Sequence, residues 1–341
     1  MEVVLYDESY GYYSSPERRV VGRKGDFYTS VSVGEMFGFL LSQRIQKERS
    51  EHFDGAKPFV IVEQGAHDGQ LALDILSGLR EQGAESFQYR IVDPRPATRE
   101  WLSHRFREAG FGDQIEVVPT LSEAAAEQGI FLSNELLDAF PFHRMRFGDS
   151  GWEELQVGYA ENQFHFVGRP LPENLQRYGL EIGSSVPVGY TTEVCPQAER
   201  WLGEAATLFG RGQWWIIDYG HEAADYFAPH RKEGTFRCYR EHRASEDPFA
   251  HLGETDITAH VNFTFLRNAS AREGLDWQEL TDQHHFLIEA ARDWLLSIEG
   301  QSSGAQDPRV VKRLRQFQTL THPGMMGTQF KVAVLSKGIC P

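Results

Sequence analysis

The segment VEQGAHDGQLALDIL, residues 62–76, places one carboxylate and two glycines in the pattern of a strand-to-helix turn. Glu63 closes a valine-rich run, and Gly65 and Gly69 flank a tight turn before a helical pattern of apolar residues begins. Such a turn directs backbone N–H groups and the positive end of a helix at a bound ligand. The segment therefore predicts a ligand-binding loop, with an ordinary strand–helix turn as the structural alternative.

His67 stands where a dinucleotide-binding fingerprint requires its middle glycine. That glycine allows a pyrophosphate to approach the backbone closely, so a side chain at this position disfavours NAD. S-adenosylmethionine (SAM) carries no phosphate, and a side chain is easier to accommodate beside it. The loop therefore favours SAM, and we expect His67 at the rim of the cofactor pocket.

A second carboxylate, Asp93, ends the next predicted strand, QYRIVD. A carboxylate at this place can accept hydrogen bonds from both hydroxyls of a ribose. An ordinary exposed carboxylate is the structural alternative. The loop and this acid together predict a cofactor site built from Glu63, Gly65, His67, Gly69 and Asp93.

The elements that must position these residues alternate along the first part of the chain. Predicted strands lie at 59–63, 88–93, 115–118 and 130–134. Predicted helices lie at about 35–49, 68–80 and 96–109, with a short Ala-rich helix after the third strand. Alternating strands and helices predict a doubly wound, Rossmann-like α/β fold whose parallel sheet is covered on both faces.

After residue 141 the apolar period changes to that of antiparallel strands, over 142–168. The following segments are predicted as a polar stretch to about 190, a helix at 196–209, a strand at 214–218, loops at 219–262, helices at about 270–300 and 309–318, and a strand at 330–335. The sheet is thus expected to carry an insertion after strand 4 and a C-terminal extension. The predicted domains are an N-terminal cap over the cofactor site (1–55), a SAM-binding core (56–141), an inserted substrate-side region (142–195), and the remainder of the core with active-site loops and C-terminal helices (196–341).

Several strings, in order along nearly the whole chain, resemble the MidA-like SAM-dependent methyltransferases. They are GDFYTS (25–30), SNELLDAFPFHRM (133–145), IIDYG (216–220), GETDITAHVNFT (253–264) and GTQFKV (327–332). The resemblance implies a class I methyltransferase fold with SAM as its cofactor. Mitochondrial members of that family are complex I assembly factors that dimethylate a protein arginine symmetrically, so the resemblance also implies a protein-arginine substrate.

Methyl transfer to arginine is an in-line displacement in which the enzyme supplies position and a dry pocket. A guanidinium stays protonated to a pKa above ~12, so carboxylates must hold it and localise its charge. Glu135 is the expected guanidinium contact, with Asp138 three residues later on the same helical face. The candidate catalytic residues are Glu135, Asn134, Asp138, Asp218 and His260, and Asn134 is also expected to contact the cofactor.

These candidates have structural alternatives. Asp138 can cap or cover a helix, Asp218 can orient a loop, and His260 can be a buried structural histidine. Gly25 and Asp26 resemble the family segment that closes over SAM, with a turn held by an Asx hydrogen bond as the alternative.

The chain departs from the family pattern at three places. Gly65-Ala66-His67 replaces glycine-proline-glycine, Val31-Ser32 replaces proline-glutamate, and Asn262 replaces an aspartate. Two acids of the family are therefore absent. Their absence motivates an alternative function, that of a SAM-binding assembly factor with weak or lost methyl transfer. A third possible function, that of an NAD-dependent oxidoreductase, is disfavoured.

The 341 residues carry a net charge of −15, which excludes a general binder of nucleic acid or anionic membranes. Three scattered cysteines without a CxxC predict a reducing compartment and neither disulfides nor a metal site. No signal peptide or membrane span is apparent, so we expect a cytoplasmic protein. A protein substrate is expected as partner, with a respiratory-complex subunit suggested by family analogy and a homodimer left open.

Overall fold

The computed structural model describes residues 1–14, 29–84, 87–240, 243–299 and 307–339. Within them the chain forms two compact units that are each discontinuous in sequence. The sheet unit comprises the described residues of Val20–Leu136, Leu202–Tyr219 and Ala269–Pro341. The insert unit comprises the described residues of Met1–Arg19, Leu137–Trp201 and Gly220–Asn268.

In chain order the α-helices are α1 (Glu2–Tyr6), α2 (Met36–His52), α3 (Gln70–Glu81), α4 (Pro96–Glu108), α5 (Glu173–Ile182), α6 (Pro196–Ala205), α7 (Ala223–Tyr226), α8 (Phe263–Arg272), α9 (Gln283–Glu299) and α10 (Pro308–Thr321). The strands are β1 (Val60–Gln64), β2 (Gln88–Val92), β3 (Ile115–Val118), β4 (Ala126–Asn134), β5 (His143–Gly148), β6 (Gly151–Ala160), β7 (Gln163–Pro170), β8 (Thr191–Val194), β9 (Phe209–His221), β10 (Arg237–Arg240), β11 (Arg243–Ser245), β12 (Asp256–Thr258), β13 (Val261–Asn262), β14 (Asp276–Asp282) and β15 (Phe330–Lys337).

The sheet unit is built on one sheet with the strand order β14-β15-β9-β4-β1-β2-β3. The pairs β1–β2, β1–β4, β2–β3 and β4–β9 are parallel, and β15 is antiparallel to both of its neighbours. Gln64 lies beside both Val92 and Ser133, so β1, β2 and β4 end level with one another. The loops that follow these strands therefore leave the same edge of the sheet, where open α/β sheets bind ligands.

Apolar periodicity decides how the helices of the sheet unit pack. Leu71, Ile75 and Leu79 follow the spacing of one helical face, and all three are buried in α3. They join a core that includes Leu40 of α2 and Ile61 of β1. This core packs α2 and α3 against β1, the strand that leads into the glycine loop.

The insert unit contains two antiparallel sheets with the strand orders β7-β6-β5-β8 and β11-β10-β12. Its core packs Met145 and Val194 of the four-stranded sheet against Leu175 and Tyr178 of α5 and Phe265 of α8. β13 pairs in parallel with the last two residues of β9. Alternating apolar residues over 142–168 thus form the antiparallel strands that their period predicts.

The structure confirms the predicted α/β fold with an insertion after the fourth strand. The predicted Ala-rich helix is wrong, because residues 121–124 form a turn and β4 begins at Ala126. Several elements were not predicted, including β8, and α7 and β10–β13 in the segment expected to be loops. Strand β14 lies inside a region expected to be helical, and α5 lies inside the polar stretch. The predictions for α5 and β14 failed for one reason. Tertiary packing stabilises both elements and overrides the local propensity of their residues.

A substitution in β4 tests the close approach of the parallel strands. A Cβ at Gly129 would lie 2.1 Å from the carbonyl oxygen of Val60 and 2.8 Å from the ring of Phe209. We expect Gly129→Ala to lower the free energy of unfolding by about 2–4 kcal/mol, measured by urea titration. Gly210→Ala is the matched control, because its Cβ would meet only Glu127 O at 3.7 Å. Equal stability of the two variants would contradict the packing argument.

Candidate functional site

The loop after β1 has left-handed backbone at every second residue. Gly65, His67 and Gly69 have φ values of +87°, +48° and +75°. Such values suit glycine and strain a histidine. The turn is closed by Gly69 N–H, which donates to Ala66 O at 2.6 Å. The sequence prediction of a tight glycine-flanked turn is confirmed in backbone geometry.

Gly69 is required for a second reason, which is space. A Cβ at this position would lie 2.5 Å from Phe106 Cζ and 3.0 Å from Leu102 Cδ2, both on α4. The absence of a side chain lets α4 pack directly against the start of α3. The first turn of α3 therefore lies directly after the loop, and the positive end of the helix dipole favours an electron-rich ligand there.

Glu63 lies at the end of β1 with its carboxylate enclosed. Its Oε2 accepts a hydrogen bond of 2.7 Å from the hydroxyl of Tyr89 on β2. Burial raises the pKa of Glu63 to about 7, the Tyr89 hydrogen bond works in the opposite direction, and the charge of Asp68 adds a smaller increase. Glu63 consequently links the end of β1 to the start of β2, a role that the sequence did not reveal.

Asp93 follows β2 at the same edge and is 7% exposed. Its Oδ1 accepts hydrogen bonds from the backbone N–H of Arg95 at 2.8 Å and from Nε of Arg95 at 3.0 Å. Its Oδ2 accepts a third from Nη2 of Arg95 at 2.6 Å. The carboxylate thus lies where a ribose acceptor is expected, and an arginine contacts both of its oxygens.

Asn134 is the last residue of β4 at this edge, and Glu135 follows it directly. The N–H of Glu135 donates to Ile217 O of β9 at 2.9 Å, although its φ is +50°. Nδ2 of Asn134 donates to Oε1 of Glu135 at 3.0 Å. Oδ1 of Asn134 is buried and has no hydrogen-bond partner in the described part of the chain. A strained backbone and an unpaired acceptor in one loop are typical of a functional site.

Asp218 belongs to the sheet unit as well. The sequence predicted it at the end of the fifth strand, but β9 continues for three further residues to His221. Asp218 is 1% exposed, and its Oδ1 accepts from the N–H of Tyr219 at 2.8 Å. The ring of Tyr219 packs on Phe330 with centroids 4.1 Å apart. Asp218 therefore lies buried inside β9, with the neighbouring backbone N–H bonded to one of its oxygens.

The predicted helical face shared by Glu135 and Asp138 does not exist. Residues 135–142 form bends and turns, because Glu135 adopts a left-handed conformation that stops a helix before it begins. Asp138 belongs to the insert unit, where its carbonyl oxygen accepts from Ala259 N at 2.9 Å. The structure therefore brings Asn134, Glu135 and Asp218 together in one unit and places Asp138 and His260 in the other.

A pocket within the insert unit contains Asp138 and His260. It encloses ≈ 460 Å³ including its open mouth. The pocket is lined by the polar side chains of Asp138, Glu193, Cys195, Glu199, Tyr226, His260 and Asn262 together with apolar residues. Burial lowers the pKa of His260 to about 4, with smaller contributions from His221, Arg231 and Arg237, so the imidazole is neutral at pH 7.

Glu193 is a pocket residue that sequence reasoning missed. Its Oε2 accepts from the N–H of Thr235 at 2.7 Å, and Nε of Arg144 lies 3.4 Å from Oε1. Burial raises its pKa against these contacts. The Thr-Thr-Glu-Val sequence of β8 has no apolar alternation, so nothing in it signalled a buried carboxylate.

At the two positions where acids of the family are absent, the side chain present forms hydrogen bonds with the nearby backbone. Oδ1 of Asn262 accepts from the N–H groups of Thr264 at 3.1 Å and Phe265 at 3.2 Å, which caps α8. Ser32 Oγ donates to Thr29 O at 2.7 Å within a short turn. Gly25 and Asp26, the predicted closing segment, lie outside the described residues.

Comparisons with known proteins show what the chain is similar to. A family model described as a putative S-adenosyl-L-methionine-dependent methyltransferase matches residues 41–281. The protein arginine methyltransferase NDUFAF7 homolog, mitochondrial, of Drosophila melanogaster is 27% identical, over 99% of this chain and 80% of that protein. The protein arginine methyltransferase NDUFAF7, mitochondrial, of Homo sapiens is 26% identical, over 98% of this chain and 78% of that protein.

A solved structure extends the similarity to the fold. A Burkholderia thailandensis protein crystallised with S-adenosyl-homocysteine is 31% identical, with a TM-score of 0.86 over 100% of this chain and 87% of that one. This match confirms the predicted class I methyltransferase fold.

The predicted cytoplasmic location is wrong, because the curated relatives are named mitochondrial. The prediction rested on scattered cysteines and the lack of a secretory signal, and neither distinguishes one reducing compartment from another. Among the described helices, none has the length and apolar character needed to cross a bilayer.

The enclosed carboxylate of Glu63 predicts a pH dependence of stability. Its folded pKa of about 7 lies above its ordinary value of 4.5, so the native state retains a proton that the unfolded chain releases. The contribution of Glu63 to stability therefore falls as pH rises from 4.5 to about 7, by about 3 kcal/mol, and levels off above that. We expect Glu63→Gln to remove this fall in urea titrations at pH 5 and pH 8. Glu279→Gln, an exposed glutamate on β14, is the control, and parallel pH profiles for all three proteins would refute the assignment.

The cap formed by Asn262 predicts that one substitution destabilises the protein and a second does not. Asn262→Ala removes the oxygen that accepts two helix N–H groups and is expected to cost about 1 kcal/mol of unfolding free energy. Asn262→Asp keeps such an oxygen and is expected to stay within about 0.5 kcal/mol of the parent. Both are measured by urea denaturation. A harmless alanine variant would show that the cap does not stabilise α8.

Proposed function

The chain belongs to the family of putative S-adenosyl-L-methionine-dependent methyltransferases, and from that premise we propose that it transfers the methyl group to an arginine nitrogen of a protein substrate. It is a SAM-dependent methyltransferase, and SAM is its cofactor. Family membership excludes the third function considered, that of an NAD-dependent oxidoreductase. The arginine substrate is supported by the relatives from Drosophila melanogaster and Homo sapiens, which are named protein arginine methyltransferases.

The residues at the sheet edge fit the cofactor. Gly65 and Gly69 give the loop before α3 its left-handed backbone, and Asn134 Oδ1 is a buried acceptor without a described partner. We assign the loop Gly65, His67 and Gly69 to the cofactor and Asp93 to the ribose hydroxyls. Glu63 is assigned to the same site as the acid that links β1 to β2 next to the loop. When bound, SAM supplies an electrophilic methyl group on a sulfonium sulfur.

The acceptors at the end of β4 carry the proposal for a nitrogen substrate. A guanidinium offers only N–H donors, so it requires acceptors to orient it. Oδ1 of Asn134 and the carboxylate of Glu135 supply acceptors on one loop, and a hydrogen bond between their side chains holds them. A nitrogen that accepts the methyl group must release a proton, and the Glu135 carboxylate would accept it. Until then the carboxylate stabilises the positive charge of the guanidinium.

The pocket of the insert unit is assigned to substrate recognition. Asp138 and Glu193 contribute carboxylates to its lining, and His260 contributes a neutral imidazole. Carboxylates in a buried pocket favour a cationic side chain over an anionic or apolar one. Asp218 is assigned to positioning, because Tyr219 N–H occupies one of its oxygens. A respiratory-complex subunit as the substrate protein and a homodimeric state stay predictions.

The proposal is tested by transfer of labelled methyl groups from SAM to proteins of a cell lysate, followed by hydrolysis and identification of the methylated amino acid. We expect label in methylarginine. Glu135→Gln removes the carboxylate charge but keeps its size, and we expect it to reduce transfer by roughly 100-fold or more while S-adenosylhomocysteine affinity changes less than about threefold.

Glu161→Gln is the matched control, since Glu161 is an exposed glutamate that also has left-handed backbone, with φ of +51°. Full activity of Glu135→Gln would remove Glu135 from the mechanism. Label in lysine would overturn the arginine assignment. Cofactor binding without label in any protein would favour the alternative, a SAM-binding assembly factor.

A further inference from the structure

Asp93 is held by an arginine that competes with the ligand expected at this carboxylate. The fork of Arg95 places Nε on Oδ1 and Nη2 on Oδ2, at 3.0 and 2.6 Å. A ribose presents two adjacent hydroxyl donors, which require the same two oxygens. We propose that Arg95 is a latch on the ribose site, which must release Asp93 before the cofactor can bind there. This inference rests on the proposed assignment of Asp93 to the ribose.

The carboxylate of Asp93 has too few lone pairs to accept hydrogen bonds from the Arg95 side chain and the ribose at the same time. Each carboxylate oxygen offers about two acceptor positions. Oδ1 already accepts two hydrogen bonds, from the backbone N–H and from Nε of Arg95. A hydroxyl can therefore bind Oδ1 only after the side chain of Arg95 leaves. The backbone N–H of Arg95 can stay in place and keep the carboxylate oriented.

The local sequence restricts this movement to a side chain. Arg95 lies between Pro94 and Pro96, and its backbone is extended, with φ of −85° and ψ of 117°. Proline fixes its own φ and holds the preceding residue in extended conformations, so the backbone here is stiff. The Arg95 side chain is 41% exposed, against 10% for that of Asp93. The greater exposure of the Arg95 side chain places it at the solvent side of the ion pair.

Arg99 provides an internal comparison. Its Nη1 donates to the backbone carbonyl oxygens of Asp93 at 3.1 Å and of Pro94 at 2.8 Å. It therefore adds a positive charge to the same turn but forms no described hydrogen bond to the carboxylate. Removal of Arg99 changes the local charge as removal of Arg95 does and leaves the latch in place.

The latch is tested by calorimetric titration of S-adenosylhomocysteine, adenosine and 2′,3′-dideoxyadenosine into the parent, Arg95→Met, Arg99→Met and Asp93→Asn. We expect Arg95→Met to bind adenosine and S-adenosylhomocysteine roughly fivefold more tightly, since a partly exposed ion pair no longer has to open. The affinity for 2′,3′-dideoxyadenosine is expected to be unchanged, because this ligand lacks the two ribose hydroxyls that Asp93 would bind. Arg99→Met is expected to match the parent for all three ligands.

Each contrary result has a separate meaning. Unchanged or weaker adenosine binding by Arg95→Met, together with weaker binding by Asp93→Asn, would overturn the latch and keep the ribose assignment. Unchanged binding by Asp93→Asn would overturn both. A parent protein that binds no S-adenosylhomocysteine would remove the proposed cofactor site itself. Thermal unfolding of each variant confirms that it is folded, so a lost signal is not mistaken for a failed latch.

Discussion

The parallel pairing of β1 with β2 on one side and β4 on the other is the constraint on which the candidate site depends. It places Gln64 level with Val92 and Ser133, so the residues just beyond all three strands emerge at one edge of the sheet. Glu63, one residue before that edge, receives a hydrogen bond from Tyr89 of β2. A shift of one residue in either pairing would turn the side chains of that strand to the opposite face and separate the acids from the glycine loop.

Left-handed backbone is the second feature that the site uses. It occurs in the loop after β1 at Gly65, His67 and Gly69, and directly after β4 at Glu135. Such conformations cost energy for residues other than glycine and persist only where the surrounding structure holds them. At Glu135 the restraint is its N–H bond to Ile217 O of β9. The neighbouring strand thus sets the conformation of the residue that we assign to the substrate.

Buried carboxylates recur in both units, and each has neighbouring donors. Glu63 accepts from Tyr89, Glu193 from Thr235 and Arg144, and Asp256 from Tyr13 at 2.7 Å. Burial without such bonds would cost several kcal/mol for each charge. Only some of these acids could be recognised beforehand. Glu63 and Asp93 ended apolar strands and were therefore visible in the sequence, whereas Glu193 lies in a short polar strand with no informative period.

The sequence by itself determined the local features of this protein: the strands and helices with strong apolar periods, the glycine turn after β1, and the acids that end β1 and β2. These depend on residues close together in the chain, and motifs spread along the chain were sufficient to indicate the family. Tertiary structure alone decided the rest. It showed that residues 135–142 do not form a helix, that Asn262 caps α8, and that Arg95 contacts Asp93 through both oxygens. Those outcomes follow from packing, backbone strain and competition for lone pairs, which are set by neighbours in space and leave no periodic trace in the sequence.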